Sequence, residues 1–330
     1  MERFITHLKI KLLSGAARQK ILAFASLIVM MVVFSLSSPN FFQSENLIGI
    51  LQATAVNGVL AIASTFVIIT SGIDLSVGTL MTFTAVITGV VLTNLHLPLW
   101  VGVLAAIAAG AGCGMISGWL IAKLKLPPFI ATLGMMMLLK GLSLVISENK
   151  PIYFNDTEGF SSISLDSLIG DFIPFLPVPN AVLILFVLAV VSSKILSSTI
   201  FGRYTFALGS NEEAVRLSGV NVDAWKIAVY TFAGAVCGIA GLLIASRLNS
   251  AQPSLGQGYE LDAIAAVVIG GTSLSGGVGS ILGTIIGAFI MSVLTNGLRI
   301  LSVAPEWQIV VTGLIIIVAV YTDILRRKQR

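Results

Sequence analysis

The sequence predicts an all-α polytopic membrane protein, and three observations carry that prediction. Only 10% of its 330 residues are charged, where a soluble domain carries about 25%. Hydrophobic residues make up 56% of the chain and fall into repeated long runs. Those runs are blocks and do not alternate with polar residues, which excludes a β-barrel.

At about 20 residues per span, ten spans are expected, near 21–38, 47–70, 76–95, 99–122, 129–147, 180–197, 227–246, 259–271, 280–297 and 306–323. They form one transmembrane domain, 1–330. Residues 1–20 are basic and 21–36 apolar, like a signal peptide. The apolar stretch is long and no A-x-A-like site precedes Pro39, so an uncleaved first span is expected.

Charge sets the orientation. With the N-terminal segment 1–20 in the cytoplasm, the inner segments hold Arg3, Lys9, Lys11, Arg18, Lys20, Lys123, Lys125, Lys194, Arg203, Arg216, Lys226, Arg326, Arg327, Lys328 and Arg330. That leaves only Lys140, Lys150, Arg247 and Arg299 of the 19 basic residues elsewhere. By the positive-inside rule both termini are expected in the cytoplasm, with an even span count. The external loop 148–179 carries Glu148, Asp156, Glu158, Asp166 and Asp171 against Lys150, and ends in Pro174, Pro177 and Pro179. Two readings of its acidic face stand: a partner's docking surface, or plain solvation.

The cytoplasmic loop 198–226 contains Ser210-Asn211-Glu212-Glu213, a capping box with Ser210 as N-cap and Glu213 at N3. A helix of about two turns follows, through Arg216, and Gly219 stops it. So short a helix is not stable alone, so neighbouring spans or another protein must pack on it. Small residues recur every fourth position at Gly110, Gly114 and Gly118, and at Gly279, Gly283 and Gly287. Such ladders mark close helix packing in lipid. Spans divide five plus five around the external loop. An odd number per half predicts an inverted repeat with broken helices.

The most informative break is Ser71-Gly72-Ile73-Asp74-Leu75-Ser76-Val77-Gly78, set between uncharged apolar flanks. Unpaired polar groups in hydrocarbon are costly, so this octet must face protein, water or ligand. Its counterparts in the second half are 256–262, with Glu260 and Asp262, and 270–279, with Thr272 and Ser273. Asp74 has two open roles, N-cap of the third span or part of a gate. Lys140 either lines a cavity or snorkels outward.

Enzyme chemistry finds no support. G-x-S-x-G, H-E-x-x-H and the Walker sequence are all missing, and Gly270–Gly279 lacks the lysine of a phosphate loop. Cys113 and Cys237 read as small packing residues, and with only His7 and His96 no metal ligand set is visible. No cofactor is expected in this chain. The candidate pathway groups are Gln52, Asn57, Thr70, Ser71, Asp74, Ser76, Thr132, Glu260, Asp262, Thr272 and Ser273. With no basic cluster in the spans, they suit a sugar or other polyol better than an anion.

Several motifs carry a resemblance. They are Ser38-Pro39-Asn40-Phe41-Phe42, the stretch Ile69 to Gly78, and Phe129-Ile130-Ala131-Thr132-Leu133-Gly134. Others are Phe201-Gly202-Arg203-Tyr204, Ala207 to Ala214, Ser218-Gly219-Val220, Ala251-Gln252-Pro253 and Gly258 to Leu274. The chain resembles, nearly end to end, the permease subunits of ribose-type ABC importers of the bacterial inner membrane. That resemblance implies a separate cytoplasmic ATPase that binds ATP and Mg, an extracytoplasmic sugar-binding protein, and a second permease copy or paralogue. It also implies that Ser210, Asn211, Glu212, Glu213, Arg216 and Gly219 belong to the helix that couples to the ATPase. An ion-coupled secondary transporter, a passive channel and a membrane scaffold are the rival expectations. The lack of mid-span carboxylates counts against the first.

Overall fold

A computed structural model describes residues 15–172 and 177–327. Arg3, Lys9, Lys11, Pro174, Lys328 and Arg330 lie outside the described residues. The helices are α1 (Gly15–Ser37), α2 (Ser44–Ile69), α3 (Val77–Gly89, continued by a π-turn Val90–Asn94), α4 (Leu99–Ala122), α5 (Pro128–Ile146) and the short α6 (Leu168–Phe172). Then come α7 (Asn180–Ser198), α8 (Ile200–Ser210), α9 (Glu212–Leu217), α10 (Val222–Leu248), α11 (Tyr259–Ile269), α12 (Ile281–Ile300) and α13 (Pro305–Arg327). One two-residue ribbon pairs β1 (Ile152–Tyr153) antiparallel with β2 (Ser250–Ala251).

Among the described residues, nine helices are long and apolar enough to cross a membrane. The expected tenth span corrects to something else. Helix α11 has 11 residues, about 16 Å at 1.5 Å per residue, half a bilayer's hydrocarbon. The chain covers the remaining depth as the non-helical stretch 252–258, which descends from the β-ribbon to α11. Glycines permit this, because the backbone at Gly256 lies against Gly78, and a Cβ on either would strike the other's carbonyl.

The molecule has two distinguishable ends. At one lie the β-ribbon and the ends of α10 and α12. At the other lie α9, the end of α2, and Ser273 bonded to Asp323 of α13. The two halves exchange neighbours: α2 packs on α10, α11 and α12, while α10 packs on α2, α3 and α4. A buried hydrogen bond of 2.7 Å between Thr65 and Thr284 joins the halves inside the core.

Glycine ladders make that packing possible. Gly110, Gly114 and Gly118 of α4 lie flat on α10, where added Cβ atoms would meet the backbone of Gly234, Tyr230 and Ile227. Gly283 and Gly287 of α12 lie on α11, against Gly270 and Ala266. Without a hydrophobic force between helices in lipid, such close approach supplies the van der Waals contact that holds a bundle together. Cys237 is fully buried in this core and Cys113 half-buried, both as free thiols.

The 148–179 loop is more than a solvated connection. Phe154 and Phe160 stack at 4.0 Å and are buried. The Ser164 hydroxyl donates to the Leu243 carbonyl, and the Ser246 hydroxyl to that of Phe160. Its acidic residues Glu148, Asp156, Glu158, Asp166 and Asp171 all stay exposed.

Candidate functional site

The octet breaks the chain because α2 cannot continue past Thr70. Ser71 adopts φ 62°, the left-handed region that a non-glycine residue rarely occupies. Its hydroxyl holds it there, donating to the Ser275 carbonyl at 2.7 Å and the Gly209 carbonyl at 3.3 Å. Around it three chain segments interlock. The Gly277 N–H donates to the Ile69 carbonyl at 2.9 Å. Gly209 presses on Ile69 and Gly277, and Gly276 on Ser71 and Gly209, with no room for a Cβ. The positive φ of Gly276 and Gly277, 81° and 71°, turns the chain inside that contact.

Asp74 is buried, and its Oδ1 accepts from the Ser76 N–H (2.8 Å) and hydroxyl (2.6 Å). Of its two open roles the N-cap is corrected: α3 begins at Val77 with Ser76 at the cap position, and Asp74, two residues earlier, closes an Asx turn. Thr132, from α5, staples the same break. Its hydroxyl accepts from the Leu75 N–H at 3.2 Å and shares its proton between the Ile73 carbonyl at 3.1 Å and the Pro128 carbonyl of its own helix at 2.9 Å. The buried Tyr230 hydroxyl lies against Gly72 without a hydrogen-bond partner.

Helix α9 sits directly on this interlock. The expected cap is corrected here as well. Ser210 is the last residue of α8, and Asn211 is the N-cap, its Oδ1 accepting from the Ala214 N–H at 2.9 Å. Asn211 can do this because its φ/ψ of −161°/96° takes it out of the helix between α8 and α9. Gly219, at φ 83°, ends the helix as expected. Val215 packs inward on Leu208, Val222 and Trp225. Glu212 bonds Lys226 at 2.6 Å and Arg216 at 3.0 Å. Burial, the largest influence, pushes the Glu212 carboxyl up, but the bonds and charges of Lys226 and Arg216 outweigh it and hold the group below its ordinary range. The outer face is bare. Glu213 is exposed and carries no ion pair among the described residues, and Leu217 is 83% exposed. Lys123 and Lys125 brace the start of α10 through Asp223, at 3.3 and 2.8 Å.

In the second half, the Glu260 carboxylate turns back to accept from the Gly258 N–H at 3.1 Å and is buried. Lys140 neither snorkels nor lines a large cavity. Its Nζ donates to the Gln257 Oε1 at 2.9 Å and so supports the unwound 252–258 stretch. Thr70 bonds its own helix. Thr272 is buried with its hydroxyl unpartnered, and Ser273 is bonded to α13.

A polar space lies between α2, α10, α11 and α12. It is about 400 Å³ in volume and is lined by Asn57, Arg247, Tyr259, Asp262, Asn296 and Arg299 among others. Of the expected pathway residues, only Asn57 and Asp262 meet there. Gln52 is half-buried elsewhere on α2. Ser71, Asp74, Thr132 and Glu260 instead satisfy the backbone at breaks, and the Ser76 hydroxyl bonds Asp74. The expectation of no basic cluster in the spans is overturned, because Arg247 and Arg299 end α10 and α12 on one wall. A signal was present: both are among the four basic residues that the charge rule left unplaced.

Residues 46–320 match the family described as the branched-chain amino acid transport system permease component. The chain belongs to this family. The ribose import permease protein of Escherichia coli (strain K12) is 45% identical over 301 residues, covering 90% of this chain and 91% of the relative. That of Bacillus subtilis (strain 168) is 42% identical over 307 residues, 92% of each chain. The fructose import permease protein of Rhizobium meliloti is 38% identical over 292 residues, 87% of this chain and 80% of the relative. This permease is thus a multi-pass transport subunit and not an enzyme.

Proposed function

We propose that this permease passes a ribose-type monosaccharide across the bacterial inner membrane, driven by a separate ATPase chain. It is fed by an extracytoplasmic sugar-binding protein and works beside a second permease copy or a paralogue. Both termini, and with them the α9 end, face the cytoplasm. The observation that supports this most is α9 itself. A capped helix with a bare outer face stands one residue from the interlock that closes the octet, so a push on it has somewhere to go.

Force on Glu213 and Leu217 would move Asn211 and Ser210, then Gly209. Gly209 lies on the end of α2 and on the loop leading into α12. Because close-packed contacts are bistable and do not stretch, the displacement tilts α2 and α12 as units and opens one side of the bundle while closing the other. The exposed carboxylates of 148–171 give the binding protein an acidic surface at the other end.

Two measurements test this. Proteoliposomes with the permease, the ATPase and the binding protein should take up labelled ribose only when all three and ATP are present. Uptake by the permease alone would establish a secondary transporter or channel instead. Replacing Glu212 and Glu213 together with Lys should abolish ATPase association while membrane insertion stays normal. Unchanged association would remove the coupling role of α9.

A further inference from the structure

We propose that the cavity between α2, α10, α11 and α12 is itself a binding site for a neutral monosaccharide; this rests on the reading of the chain as a sugar permease. Helices from both halves line it, and it opens to the surface at the exposed Arg299 and Leu248. Arg247 and Arg299 stand in the last turns of α10 and α12 at the β-ribbon end, and Tyr259 and Asp262 in the first turn of α11, below. The cavity thus runs from the outer end down to the level where the chain is unwound. Its volume of about 400 Å³ lies within the range of small-molecule pockets.

Thr295 and the Asn296 amide nitrogen bond the Met291 carbonyl and Asn46, but other polar lining groups are left over. Among the described residues, the side chains of Arg247, Arg299 and Asp262 make no hydrogen bond or ion pair. The Asn57 Oδ1, Ser292 Oγ and Asn296 Oδ1 atoms on the wall are buried without a partner. Buried polar atoms are normally satisfied, so a cluster of orphans marks a place where a ligand supplies the missing bonds.

The chemistry of the set selects the ligand. Vicinal hydroxyls fit the planar fork of a guanidinium, which only donates, and a carboxylate, which only accepts. The two amide oxygens accept from further hydroxyls, and the ring of Tyr259 offers an apolar surface to sugar C–H groups. An anion would meet Asp262, and a cation would meet two arginines. A neutral polyol meets neither penalty.

The test is saturation-transfer NMR on the full-length permease in lipid nanodiscs, with D-ribose as the probe and no binding protein present. Magnetisation should pass from the protein to the sugar. The signal should fall at least fivefold in Arg299→Met and in Asn57→Leu, with the milder Asn57→Ser measured in case either variant unfolds. Thermal unfolding of each sample reports folding. No transfer in the wild type, or full transfer in folded variants, overturns the cavity site. A stronger signal from D-ribose 5-phosphate than from D-ribose overturns the neutral-sugar assignment. ATP-driven uptake by the complete importer is read separately, so that its absence counts against import and the NMR result against the cavity alone.

Discussion

The two ends of the bundle are built on opposite principles. At the α9 end, three chain segments meet backbone to backbone through Ile69, Gly209, Gly276 and Gly277, and the polar side chains among them, Ser71 and Asp74, are hydrogen-bonded. Toward the β-ribbon end, helices α2, α10 and α12 part around a polar cavity whose Asn57, Ser292 and Asn296 oxygens have no partner among the described residues. On the proposed coupling, the first arrangement would transmit displacement because it has no slack. The second can accept a ligand because its polar groups are left over. One helix, α2, carries both: its last turn is locked and its first half lines the cavity.

Breaking the locked end should have the largest effect. Gly209→Val places a branched side chain against the Ile69 carbonyl and the Gly277 N–H, where no side chain can retreat. Overpacking against backbone should cost more than about 3 kcal/mol, read as a large fall in thermal midpoint of the purified chain. An unchanged midpoint would mean the interlock is loose. Thr132→Val should cost about 1–3 kcal/mol, because it orphans the Leu75 N–H and removes the shared bond to the Ile73 carbonyl. Thr132→Ser, which keeps the hydroxyl, should recover most of the loss, and if it does not, the staple is packing and not hydrogen bonding.

Ser71→Ala removes two hydrogen bonds at an exposed position, worth about 1 kcal/mol. Folding should survive while sugar carried per ATP hydrolysed falls several-fold in the reconstituted importer. Equal stoichiometry would show that Ser71 carries no force. The smallest effect is the pH response of α9. The Glu212 carboxyl is held below its ordinary range, so its contribution is present above the unfolded-state value of about 4.3 and is lost as pH falls through the lower folded-state value. Amide protection in α9 should therefore stay flat from neutral pH to about 5 and drop below about 4. Glu212→Gln should abolish that drop, and a drop persisting in the variant would assign it to another group.

Much of this protein was written locally. The apolar blocks specify membrane-crossing helices, since 20 apolar residues have one stable way to satisfy their backbone in lipid. The four-residue glycine spacing specifies which faces approach, and the Gly219 stop and the acidic first turn specify α9. The cap was off by one residue because Ser210 and Asn211 are equally good cap types. What separates them is where α8 ends, and that depends on Gly209 docking onto Ile69.

The rest was decided only when distant segments met. Glu260, Thr132 and Asp74 look in sequence like solute ligands, because a polar residue in an apolar run must bond something. Folding brings them broken backbone groups, and those claim them first. Arg247 and Arg299 look like strays from the charge rule, 52 positions apart by number, until α10 and α12 end side by side. Whether a polar group is spent on structure or left for a ligand depends on what the fold places within about 3 Å of it, and local sequence does not carry that distance.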